Sequence, residues 1–115
     1  AAAQVDGYKL IVADLGEAVV QGMREMWDIV KQRAGGEPFA VVLFARNPEG
    51  GNPLMLAAGT QDAVDAGFNA KDVIAHVAPL IGGGGGGKPA MAQAGGKNAE
   101  GIPAAIEKAK ELFGI

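Results

Sequence analysis

The stretch FAVVLFARNPEGGNPLMLAA, residues 39–58, decides the fold. Phe39 to Ala45 is a continuous apolar run, the pattern of a central strand buried on both faces. Asn47-Pro48-Glu49-Gly50-Gly51-Asn52-Pro53 is dense in turn residues. Leu54 to Ala58 is a second apolar run. Two such runs joined this way form an antiparallel hairpin with a long loop.

Upstream, Tyr8 to Asp14 (YKLIVAD) alternates, with Tyr8, Leu10 and Val12 on one face, and reads as a first strand ended by Gly16. From Glu17 to Ala34 the period lengthens. Val20, Met23, Trp27 and Val30 recur at helical spacing, and Val19 and Met26 widen the stripe. Gly35 and Gly36 terminate this helix. Downstream, Asn69 is placed to cap a helix carrying Val73, Ile74, Val77 and Leu80/Ile81, with Phe68 and Val73 as a hydrophobic staple. Pro79 distorts or ends it. Ile102, Ala105, Ile106, Ala109 and Leu112/Phe113 define a last helix, with Pro103 in its first turn and Gly114 at its C-terminal cap. Met91 to Ala94 adds a short edge strand. The expectation is one α/β domain over residues 1–115: a small mixed sheet, about three helices, and a glycine-rich loop before the last helix.

Composition narrows the functions. Cysteine is absent, which removes disulfides, thiolate metal sites and cysteine nucleophiles together. No apolar run reaches the roughly eighteen residues of a membrane span. The N-terminus lacks the parts of a signal peptide and an initiator methionine, so the chain reads as a cytoplasmic fragment or processed product. Net charge is −3, against the basic face usual in a nucleic-acid binder. Between Gly82 and Lys110, however, Lys88, Lys97, Lys108 and Lys110 face only Glu100 and Glu107, so this segment is locally basic.

That segment opens with GGGGGGKPAMAQAGGK, residues 82–97. Gly82, Gly87 and Lys88 fit a phosphate-loop motif up to its last position, where Pro89 replaces the magnesium-binding Ser or Thr. The strand that should precede such a loop is missing too, which also removes the dinucleotide fingerprint. A flexible linker is out of place between two helices that need the same core. Glycines with spaced lysines suit a backbone surface that offers N–H groups to phosphates, with Lys88 and Lys97 as point charges. Glycine also serves to let backbones approach each other, and the residues alone leave both readings open.

GGGGGGKPAMAQAGGK closely resembles the glycine-rich motif in the C-terminal domain of alanyl-tRNA synthetases, in which glycines precede Arg or Lys, Pro, a variable residue, Met-Ala-Gln and a second glycine pair. The order of the flanking elements is similar as well. The resemblance implies a non-catalytic tRNA-binding domain whose parent charges alanine tRNA, using ATP and magnesium, and clears mischarged tRNA in an editing module that holds zinc. It implies no cofactor for this domain. It also implies that the domain links the two active modules on one tRNA. The family carries a helical stretch that can support homo-oligomers; here only Ala1–Asp6 could belong to it. A sister domain follows the core of DHH-type phosphoesterases and exonucleases, with a glycine run followed by His; Lys88-Pro89 and Met91-Ala92-Gln93 favour the synthetase branch. A dimerisation domain is the third reading.

The expected nucleic-acid contacts are Gly83, Gly84, Gly85, Gly86, Gly87, Lys88, Gln93, Gly95, Gly96 and Lys97. Gln93 either bonds a sugar or base or pairs with a strand edge. Lys108 and Lys110 either extend the basic surface or are simply solvated. Met23, Met26 and Trp27 belong to the core. His76 has no Cys, Ser or acidic partner at ligand spacing, and nothing pairs Asp14 with Glu17 for acid–base work. No catalytic or metal-binding residue is expected.

Overall fold

Period-two alternation in the central strands builds a core on both sides of one sheet. The structure, a computed structural model, describes residues 2–115. The strands are β1 (Ala3–Val5), β2 (Tyr8–Glu17), β3 (Phe39–Arg46), β4 (Pro53–Gly59), β5 (Gly84–Lys88) and β6 (Met91–Gly95), in the spatial order β1-β2-β3-β4-β6-β5. Only β2 and β3 are parallel. The helices are α1 (Val20–Ala34), α2 (Gln61–Asp65), α3 (Ala70–Val77) and α4 (Ile102–Phe113). The mixed sheet and the α/β class are as the sequence predicts.

Ala40, Val42 and Phe44 of β3, with Met55 and Ala57 of β4, face α2, α3 and α4 and pack on Phe68, Ile74, Val77, Ile102 and Ala105. The intervening Val41, Leu43, Ala45, Leu56 and Ala58 face α1 and pack on Met23 and Trp27. The β3–β4 loop is held by Asn47, whose N–H donates to Asn52 O (2.8 Å) and whose Oδ1 accepts from Glu49 N (2.9 Å). Gly50 and Gly51 lie in the left-handed region there. Tyr8, Phe68 and Phe113 form an aromatic cluster with centroids 5.8 to 6.4 Å apart, which fastens α4 to β2.

Several elements differ from expectation. Gly16 does not end β2. Its N–H donates to Asp14 Oδ1 (2.9 Å), its φ is 78°, and the register with β3 shifts between Asp14 and Glu17. This is a bulge, so the strand continues and α1 begins at Val20 rather than Glu17. Val19 and Met26 are exposed (48% and 39%), because one helix alone on this face buries only the stripe through Met23 and Trp27. Met26 is therefore not core. Helix α2, too short for a periodic signal, is capped by Thr60, whose Oγ1 accepts from Ala63 N (3.3 Å). Ala3–Val5 is a strand paired to β2, not the end of a helical stretch; Ala1 lies outside the described residues. Asn69 caps α3 as predicted, its Oδ1 accepting from Asp72 N (3.1 Å). Pro79 sits in a 3-10 turn, Ala78–Ile81, which follows α3.

The largest correction concerns the glycine-rich loop before the last helix. Gly84–Lys88 is a strand, and Met91–Gly95 is not an edge strand but lies between it and β4. Glycine has low strand propensity. Here pairing with β6 and packing against α3 override it.

Candidate functional site

The β5–β6 hairpin closes through Pro89 and Ala90, with Lys88 opposite Met91 and Gly84 opposite Gly95. The turn is clamped at two carbonyls. Ala70 N, in the first turn of α3, donates to Pro89 O (2.8 Å), and Gly59 N donates to Ala90 O (2.9 Å). The proline that breaks the phosphate-loop motif thus supplies an acceptor for an otherwise unpaired helix N–H.

Within β5 the glycines fall into two classes by parity. A Cβ on Gly85 would run into Gln93 O and the Ala94 backbone, and one on Gly87 into Met91 O and the Ala92 backbone. A Cβ on Gly83, just before the strand, would meet Gly95 O and Gly96 Cα. These three positions have no room for a side chain, because the strand lies tight on β6 and the residue that follows it. Gly84 and Gly86 are the opposite case. A Cβ at either meets nothing within 4 Å, and neither has a positive φ. Packing does not require glycine there, and glycine in a strand interior commonly marks a place where a ligand or another backbone comes close.

The backbone donors differ as well. Gly83 N donates to Ala78 O (3.2 Å), Gly96 N to Pro53 O (3.1 Å), and Lys97 N and Asn98 N both to Ile81 O (3.1 and 2.9 Å). Those N–H groups are used inside the fold. Beside β5, by contrast, no further strand pairs among the described residues, and alternate residues of an antiparallel edge strand turn their backbone groups away from the partner.

The two lysines lie at opposite ends of this strand. Lys88, at its C-terminal end, lines one cleft with Arg24, Gly86, Gly87 and Gln93, of about 360 Å³. Lys97 lines another, of about 370 Å³, with Asn47, Asn52, Gly82, Gly83, Gly95 and Gly96. The strand is five residues long, so four steps separate its ends, roughly 13 Å at ~3.3 Å per residue. The two lysines line separate clefts. Lys110 lines a hollow with Ala3, Leu10 and Val12, at the β1–β2 side of the sheet, and does not extend this surface. His76 is exposed, with Nδ1 2.7 Å from Asp72 O of its own helix.

Arg24 is the residue that sequence reading misses. It lies on the polar side of α1, and its Nη2 donates to Gln93 Oε1 at 2.7 Å across 69 residues of chain. Gln93 must face α1, since Ala92 and Ala94 on either side of it point into the opposite core. Its side chain accepts from Arg24 of that helix. No periodicity announces such a pair; it exists only because the sheet sets β6 beside β4, on which α1 packs. Among the described residues, the ion pairs are Lys9–Glu37 and Lys31–Asp28, so Arg24, Lys88 and Lys97 form none.

A mixed sheet with one helix on one face, three on the other and a glycine hairpin at its edge is the architecture of a known domain class: residues 7–114 match the DHHA1 domain, and the chain belongs to that family. Its relatives within the family are more particular. It is 44% identical over 106 residues to alanine–tRNA ligase 1 of Lachnoclostridium phytofermentans, and 41% identical over 106 residues to alanine–tRNA ligase of Latilactobacillus sakei. Those matches cover 92% of this chain and 12% of each relative, so the chain spans about 12% of their length. The C-Ala domain of Aquifex aeolicus alanyl-tRNA synthetase superposes with a TM-score of 0.77 at 27% identity, over 98% of this chain and 97% of that one.

Proposed function

We infer that residues 1–115 form the non-catalytic C-terminal domain of an alanine–tRNA ligase and bind tRNA, that of alanine in particular, in the cytoplasm. The observation that carries this reading is the open parity of β5. Gly84 and Gly86 have room for side chains and carry none, on an exposed strand that ends in Lys88 and has Lys97 near its other end. A bare ribbon of about 13 Å suits a nucleic-acid backbone, with neighbouring phosphates along it and the lysines as point charges. Gly83–Gly87, Lys88, Gln93, Gly95, Gly96 and Lys97 supply this surface. Gly84, Gly86, Lys88 and Lys97 face the ligand; Gly83, Gly85, Gly87 and Gly96 hold the hairpin in shape.

The domain needs no cofactor in this role. ATP, magnesium and zinc belong to the aminoacylation and editing modules of the parent, which this domain would tether to one tRNA and so raise their effective concentration. Changing Lys88 and Lys97 together to Ala is expected to weaken tRNA binding and to lower the slope of log affinity against log salt by about 1.5, near 0.7–0.9 for each phosphate no longer neutralised. An unchanged slope would argue against this surface. Competition between folded tRNA and short single strands separates the synthetase reading from the phosphoesterase one, and the synthetase reading predicts that folded tRNA wins.

A further inference from the structure

We propose that Arg24 is a third cation of this site, positioned by Gln93 to take a backbone phosphodiester of the bound tRNA in the cleft it shares with Lys88. The inference rests on the tRNA-binding reading above and adds to it a residue from a distant helix.

Three features of the cleft point to an anion. The first is the choice of partner. A surface arginine that only ties a helix to a sheet gains most from a carboxylate, which satisfies its fork and neutralises its charge. Here the acceptor is the neutral Oε1 of Gln93. The guanidinium is thus held in one place with its charge intact, and its remaining N–H donors are left for a second acceptor. The second feature is the company it keeps. Arg24 and Lys88 line the same cleft, no carboxylate is among the lining residues, and neither cation has an ion pair among the described residues. Two like charges set around one cleft repel until an anion enters.

The third feature is the floor. Gly86 is directly opposite Gln93 across the β5–β6 ladder, so both project to the same face. A side chain at Gly86 would rise into the cleft beside Gln93, and the space for it is empty. Glycine there keeps the cleft open, whereas its neighbours Gly85 and Gly87 are glycine for the fold. A phosphodiester entering would meet bare backbone below, the guanidinium fork on one side and Lys88 on the other. Gln93 acts as a positioning residue; Arg24 binds the phosphate.

Binding of an alanine tRNA transcript, followed by fluorescence anisotropy at several salt concentrations, tests this, with melting temperature as the folding control. Arg24→Ala should bind about tenfold more weakly and lose about 1 from the salt slope, with melting unchanged within a few degrees. Gln93→Glu is the sharper variant. It keeps and strengthens the bond to Arg24 but neutralises its charge, so affinity should fall by a similar factor while melting holds or rises. Gly86→Leu should reduce binding by filling the cleft while every charge remains. The proposal is overturned if Arg24→Ala and Gln93→Glu bind like wild type while Lys88→Ala/Lys97→Ala binds weakly; Arg24 would then be only a clasp between α1 and β6. A wild-type domain with no salt-dependent tRNA binding would overturn the parent reading as well.

Discussion

The β3–β4 and β5–β6 hairpins belong to the same sheet and use the same alternation for opposite ends. In β3 and β4 side chains fill both faces, alternate residues of each strand turning toward opposite helical layers. In the four glycines of β5 the alternation survives without side chains. One parity has no room for a Cβ and the other has open space. A central strand is specified by what its side chains fill. This edge strand is specified by what their absence permits: tight seating on β6 on one side and an uncovered backbone on the other.

The contrast can be broken by substitution. The largest effect belongs to the filled hairpin. Phe44, fully buried, should cost about 3–5 kcal/mol when changed to Ala, measured by chemical denaturation. Gly85→Ala comes next. Its methyl would collide with the β6 main chain, and a loss of about 1–3 kcal/mol is expected, as for an overpacked site. Gly84→Ala and Gly86→Ala sit one residue to either side and should leave stability unchanged or raise it by up to about 1 kcal/mol, since glycine is the more flexible residue in the unfolded chain. If all three alanine variants behaved alike, the division of the strand into two parities would be wrong.

The smallest effect concerns Tyr8, buried against Phe68 and Phe113, whose pKa burial pushes above its usual 10.0. The folded state therefore keeps the proton longer than the unfolded chain. Stability from this group is complete below about pH 10 and falls as pH rises past it toward the higher folded value. Tyr8→Phe should flatten that part of the alkaline melting curve while leaving neutral pH little changed.

Legibility in the sequence follows the same division. The apolar runs Phe39–Ala45 and Leu54–Ala58 and the helical periodicities of α1 and α4 fix their type, and the structure has strands and helices there, with α1 starting at Val20 rather than Glu17. The glycine segment has no side chains and hence no periodicity. Its identity as a strand depends on β6 and α3, partners that lie outside the segment itself. The motif GGGGGGKPAMAQAGGK identifies the site region but not its geometry: one apparent cradle is two clefts at opposite ends of a strand. Arg24 is illegible for a related reason. On α1 it is one polar residue among several, and only the position of Gln93 beneath the helix singles it out. Gly16 misleads because a glycine with a left-handed φ serves a bulge as readily as a strand end.

Whether the open face of β5 is a nucleic-acid surface or a consequence of packing is decided by one variant. The affinity of Gly84→Ala/Gly86→Ala for an alanine tRNA transcript is measured at fixed salt, beside its melting temperature. A nucleic-acid surface predicts melting at or above that of wild type together with binding weakened several-fold, because two methyl groups now stand where the backbone of the ligand would lie. Wild-type affinity in a variant of wild-type stability would contradict it.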